Sequence, residues 1–94
     1  MLRIREYNKI TGKKIELEEL EKFGMKYNGS SECYIDNDNY SVLTIYEKSR
    51  EIYVDLLITG FSDLRKEYER INNRALGILY DLITAGYVEK VEEE

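Results

Sequence analysis

Histidine and proline are absent from this chain of 94 residues, and cysteine occurs once, at Cys33. Without histidine, the commonest general base and transition-metal ligand is missing, and Cys33 has no imidazole to draw off its thiol proton. A lone cysteine closes no internal disulfide, so nothing points to an oxidising compartment. No stretch approaches the roughly eighteen consecutive apolar residues that cross a bilayer, and residues 2–6 (Leu-Arg-Ile-Arg-Glu) lack the apolar block of a signal peptide. A cytoplasmic protein is expected, neither secreted nor membrane-spanning. The triplets Asn28-Gly29-Ser30 and Asn39-Tyr40-Ser41 then read as turns rather than glycosylation sites.

Motifs for chemistry are equally scarce. Carboxylates abound, but no pair has the distinguishable environments that acid–base catalysis requires. The run Asp36-Asn37-Asp38-Asn39 resembles the start of a calcium loop, and Glu47 falls at its twelfth position. Position 5, however, is Tyr40, and position 6 is Ser41 where such a loop needs glycine. A hairpin turn is the simpler reading, and no metal or cofactor is expected. Gly12-Lys13-Lys14 fails as a phosphate loop, because the upstream glycine is missing and Lys14 stands where magnesium would need Ser or Thr. The chain is not expected to be an enzyme.

What is present is a core. A hydrophobic fraction of 43%, with nine tyrosines, is too rich for a disordered chain even with 35% charged residues. There is no repeat, low-complexity tract or Gly/Ser linker, so residues 1–94 read as one domain. The net charge of −5 is unevenly spread. Residues 1–14 hold Arg3, Arg5, Lys9, Lys13 and Lys14 against Glu6 alone, a balance of +4, which leaves −9 on the rest. Such a field repels nucleic-acid backbones and attracts basic protein surfaces; it also serves plain solubility.

Along the chain, residues 2–7 alternate in type, and Thr11-Gly12 offers a turn before residues 13–15, which predicts an opening β-hairpin. Leu17, Leu20 and Phe23 recur at helical spacing with Gly24 placed as a C-terminal cap, predicting a short helix over 16–23. Short strands follow at 26–27, 33–35, 40–46 and 51–58, separated by turn residues, as in an antiparallel meander. Alternation assigns Leu43, Ile45, Ile52, Val54, Leu56 and Ile58 to the core face, and Thr44, Tyr46, Tyr53 and Asp55 to the other. Val42, by the same parity, falls away from the core. From Ser62, a plausible N-cap, apolar residues at Leu64, Tyr68, Ile71, Ala75, Ile78 and Leu82 step by four and three, predicting one helix over 62–85. Asn72-Asn73 and Gly77 are poor helix formers that could bend it. The second half, with Leu76, Leu79, Tyr80 and Ile83 also apolar, is expected to be buried on more than one side. Residues 87–91 alternate like a final edge strand, followed by a solvated acidic tail.

The fold class is therefore α+β: an antiparallel meander packed on one face by a long C-terminal helix, with a short N-terminal helix. On the opposite face Tyr46 and Tyr53 project, joined by Tyr34 and Tyr40 and flanked by Glu47, Glu51 and Asp55. Tyrosine is rigid, amphipathic and enriched at interfaces, so this face is a candidate partner-binding surface. Tyrosine is also simply a good strand former.

Residues 73–91 (NRALGILYDLITAGYVEKV), with Thr11-Gly12-Lys13 and the Leu/Glu-rich stretch ending in Phe23-Gly24, resemble small uncharacterised proteins of phages and prophages of Gram-positive bacteria. That pool includes anti-CRISPR and other anti-defence proteins. The resemblance covers about half the chain and carries over no functional residue. It implies a non-enzymatic inhibitor that binds a basic, nucleic-acid-binding bacterial protein. Residues 74–91 are also similar to the helix-then-wing entry of winged-helix proteins, which implies a nucleic-acid binder as the alternative, although strands stand where that fold has its earlier helices. A second alternative is a homo-oligomeric accessory phage protein, dimerising through the apolar second half of the long helix.

Overall fold

Six short strands form one antiparallel sheet in the computed structural model, which describes residues 1–60 and 63–92. Ser62 lies outside the described residues, as do the last two residues of the acidic tail. The elements are β1 (Leu2–Ile4), a 3-10 helix (Leu17–Phe23), β2 (Lys26–Asn28), β3 (Cys33–Ile35), β4 (Leu43–Tyr46), β5 (Glu51–Val54), α1 (Arg65–Thr84) and β6 (Val88–Lys90). The strand order is β2-β3-β4-β5-β1-β6. The α+β architecture expected from the sequence is present, with the meander running from β2 to β5.

The opening hairpin expected from the sequence is present but short. β1 itself pairs with β5 (Leu2 opposite Ile52) and with β6 (Ile4 opposite Val88), while the hairpin closes beyond it at the bridge of Tyr7 to Lys14, where Asn8 N donates to the Lys13 carbonyl and Ile15 N to that of Glu6. Asn8 shapes the turn: its Oδ1 accepts the N–H of Ile10 and of Thr11, while its Nδ2 donates to the carbonyl of Ala85. A side-chain amide that bonds the backbone two and three residues on fixes such a turn.

The residues of the short helix close i→i+3 turns instead of α-helical ones. Its first turn has a reciprocal cap between Glu16 and Glu19, and Gly24 ends it in the left-handed conformation at φ 99. Leu20 is fully buried and joins Ile4, Ile15, Leu43, Ile45, Ile71, Ile78 and Leu82 in one core cluster. The 3-10 helix and α1 thus cover the same face of the sheet, the face that carries Tyr34, Ile45, Ile52 and Leu2 in one cross-strand row.

α1 is one unbroken helix from Arg65, about 30 Å long at 1.5 Å per residue. Asn72 does not bend it. Its side-chain amide accepts the N–H of Leu57 and donates to the carbonyl of the same residue. This clamp bears on a second correction: β5 ends at Val54, and Val54, Leu56 and Ile58 are exposed rather than in the core. The chain leaves the sheet there to reach α1, and Leu57 packs against the core instead.

Two further corrections concern burial. Val42 is 1% exposed and belongs to the core cluster. Asp36, itself buried, accepts the N–H of both Val42 and Leu43 on one carboxylate oxygen, which turns the chain inward at Val42 just before β4. The second half of α1 is buried on one face only; Leu76, Tyr80 and Ile83 are exposed. One sheet supplies one apolar layer, so a helix lying on it has a dry side and a wet side. Among the described residues no helix is long and apolar enough to cross a membrane.

Candidate functional site

Antiparallel hairpins place alternate turns at the same end of a sheet, so the β2–β3 turn and the β4–β5 turn lie together. Between them an open groove of about 400 Å³ is lined by Ser31 and Glu32 from the first turn, Lys48 and Ser49 from the second, and Tyr46, Glu51 and Tyr53 from the strands. The register puts Tyr53 opposite Thr44 and Cys33 opposite Tyr46, on the face turned away from α1.

Tyr46 and Tyr53 are 41% and 50% exposed. Their rings meet edge to face, with centroids 5.4 Å apart and planes at 84°. The Tyr53 hydroxyl donates to the Glu51 carboxylate two residues back on the same strand, and the Glu51 N–H donates to the Ser49 hydroxyl. Lys48 sits 3.8 Å from Glu32, with both side chains well exposed. Such a pair is screened by solvent and holds its partners loosely. The groove therefore contains two half-exposed aromatic rings, two carboxylates and one displaceable ammonium.

Backbone conformation at the groove is unusual as well. Glu32 and Arg50 are the two non-glycine residues with positive φ among the described residues, at 52 and 62. Glu32 is held there by its carbonyl, which accepts the N–H of Glu47. Arg50 is held by its guanidinium, which donates to the carbonyls of Arg5 and Ile15. Left-handed backbone costs an ordinary residue roughly 1–2 kcal/mol, so both turns are kept in shape by these bonds.

Of the surface expected from the sequence, the structure brings together Tyr46, Tyr53 and Glu51. Tyr34 is a correction: its cross-strand partner is Ile45 on the core face, and it is only 5% exposed, with burial and the nearby Glu18 and Glu21 pushing its phenol up. Tyr40 is another, because it lies in the β3–β4 turn at the far end of the sheet and packs edge-on against Tyr68 of α1. Glu47 follows Tyr46 by one residue and so falls on the other side of the pleat; it is hydrogen-bonded with Tyr27, whose phenol is pushed up to about 12 mainly by that bond. Asp55 is exposed beyond the end of β5 and does not line the groove.

Sequence reasoning missed Ser31, Glu32, Lys48 and Ser49. The signal was available in the meander itself, since strands that run up and down bring the first and third turns to one edge. The Asp36-to-Asn39 run uses its side chains on its own backbone: Asn37 accepts the N–H of Asn39 and Tyr40, and Asp36 holds the start of β4. Cys33 is buried in β3, and burial pushes its thiol up, away from the nucleophilic thiolate. Among the described residues no three His, Cys, Asp or Glu side chains converge as a metal site would require. Compared with protein-family models, with curated proteins and with solved structures, the chain matches none.

Proposed function

We propose that this protein is a non-enzymatic binding module that engages a basic protein partner through the Tyr46–Tyr53 face of its sheet. The observation that carries this is the perpendicular, half-exposed tyrosine pair set beside Glu51 and Glu32 in an open groove on the uncovered face. Aromatic anchors in such a setting supply contact area at little conformational cost, and a carboxylate rim steers a positively charged partner. The resemblance to small phage proteins supports the most specific form of this reading: an inhibitor, working in the bacterial cytoplasm, of a basic nucleic-acid-binding defence protein.

The test is affinity capture from a Gram-positive bacterial lysate with three baits read side by side: the parent protein, Tyr46→Ala/Tyr53→Ala, and Arg3→Ala/Lys13→Ala/Lys14→Ala, each first shown to be folded by circular dichroism. A basic protein retained by the parent and the basic-set variant but lost from the tyrosine variant supports the proposal. Retention by the tyrosine variant and loss from the basic-set variant overturns it.

A second reading, the self-associating accessory protein, draws on the exposed Leu76, Tyr80 and Ile83, which lie along the solvent side of α1 at helical spacing. Sedimentation equilibrium separates the two: a dimer that becomes a monomer in Tyr80→Lys selects self-association.

A further inference from the structure

The geometry points to a guanidinium as the group the groove takes: an arginine side chain of the partner, its plane laid into the corner between Tyr46 and Tyr53 and its N–H groups directed at Glu51 and Glu32. This rests on the partner-binding reading above and narrows it to one side-chain chemistry.

Three features of the groove lead to it. First, the two rings stand at 84°, so they form a corner and leave ring surface open, as their exposures show. An electron-rich ring face attracts a cation, and arginine is the cation most often found there. Second, the carboxylates stand on the two walls of the same space, Glu51 on β5 beside Tyr53 and Glu32 on the β2–β3 turn. A planar fork of five N–H donors can reach two acceptors at once and still stack, whereas an ammonium is a compact, strongly hydrated point charge. Third, the groove already draws a cation of its own. Lys48 is paired with Glu32 at 3.8 Å, long and solvent-exposed enough for an incoming guanidinium to replace it. Lys48 is also the one cationic residue among those lining the groove, against two carboxylates, so an anion is a poor fit.

Lys48 supplies the sharpest discrimination. If the groove takes a cation, Lys48 competes with it, and Lys48→Met should tighten binding. If the groove takes an anion, Lys48 would be its main anchor, and the same change should weaken binding.

The experiment is a nuclear magnetic resonance titration of the whole protein with three capped hexapeptides of one sequence that differ at a central position, arginine, lysine or citrulline, following the ring resonances of Tyr46 and Tyr53. The arginine peptide is expected to shift both rings saturably, the lysine peptide to bind about threefold or more weaker, and the citrulline peptide, planar but uncharged, to leave the rings unmoved. Glu51→Gln should weaken the arginine peptide about tenfold, and Lys48→Met should tighten it about twofold. Tyr53→Phe, which keeps the ring and loses the hydroxyl that holds Glu51, should give an intermediate loss. Equal response to arginine and citrulline, no movement of either ring, or weaker binding by Lys48→Met would overturn the guanidinium site. Equal response to arginine and lysine overturns the guanidinium preference while leaving the basic-partner reading standing, since that reading is decided separately by the capture experiment.

Discussion

A Cβ atom on Gly86 would stand 2.7 Å from the Oδ1 of Asn8, and Gly86 itself has φ +85. Asn8 is the residue that holds the loop after β1 and ties it to the end of α1 through Ala85. The close approach of these two residues lets the C-terminal end of the helix seat against the N-terminal segment. From there the chain turns directly into β6, and on the way Lys9 N donates to the carbonyl of Gly86 and Arg5 N to that of Tyr87.

Gly86→Ala should therefore destabilise by about 2 kcal/mol or more, combining left-handed strain with a contact shorter than real Cβ atoms show. Gly77→Ala is the control. A Cβ there meets nothing within 4 Å, and α1 should gain up to about 1 kcal/mol. Urea denaturation of the two variants checks both signs.

Leu82→Ala and Ile78→Ala should each lose about 2–5 kcal/mol, because both side chains sit in the core cluster. The parity of the strand placed Val42 outside this group, but its position under the Asp36 cap puts it inside. Val42→Ala should cost about 1.5–3 kcal/mol, from two buried methyl equivalents plus the space they leave. Chemical denaturation giving Leu82→Ala a loss under about 1 kcal/mol would contradict the packing of α1 on the sheet.

Parity succeeded where the strands were regular and failed where a side chain redirected the backbone. Leu43, Ile45 and Ile52 are buried and Tyr46 and Tyr53 are exposed, as period-two alternation requires. The failures cluster at Asp36 and Asn72, two polar side chains that hold two main-chain groups each. Tyr34 reads as an outward residue, yet its register opposite Ile45 puts it on the core face and buries it. The bonds of Asp36 and Asn72 reach 6 to 15 residues along the chain, and no period-two pattern announces them. The tyrosine pair was legible because both members sit on β4 and β5, the best-patterned strands, whereas the turn residues that complete the groove follow from topology.

Titration of Glu19 and Tyr87 should be visible in the pH dependence of stability. The Glu19 carboxyl is held below its ordinary 4.5 chiefly by the N–H of Glu16 and then by the Tyr87 hydroxyl, which donates to it at 2.8 Å. A carboxyl lowered in the folded state contributes stability above pH 4.5 that is lost as pH falls through its folded value. Tyr87 is pushed above its ordinary 10.0, by burial first and then by the bond to Glu19, so its contribution is intact below pH 10 and lost as pH rises through the folded value. Tyr87→Phe should flatten both limbs. Urea midpoints measured from pH 2 to 6 and from pH 8 to 12 check this, and unchanged limbs in the variant would contradict it.

Glu32→Gly should leave stability unchanged or raise it by up to about 1 kcal/mol, since glycine adopts a φ of 52 without strain. The same change removes a carboxylate from the groove and should weaken binding of a basic partner. A fall in stability of more than about 1 kcal/mol would show that the Glu32 side chain, and not the groove, explains its presence at a strained position.

In the proposed binding mode, Tyr46 and Tyr53 hold the partner and the acidic rim governs encounter. The most direct measurement is surface plasmon resonance of the captured basic partner against the parent protein, Tyr46→Ala/Tyr53→Ala, and Glu32→Gln/Glu51→Gln, across a series of salt concentrations. The tyrosine variant should dissociate at least about tenfold faster with a nearly unchanged association rate, while the glutamine variant should mainly associate more slowly and with less salt sensitivity. Dissociation unaltered by loss of both tyrosines would contradict this binding mode.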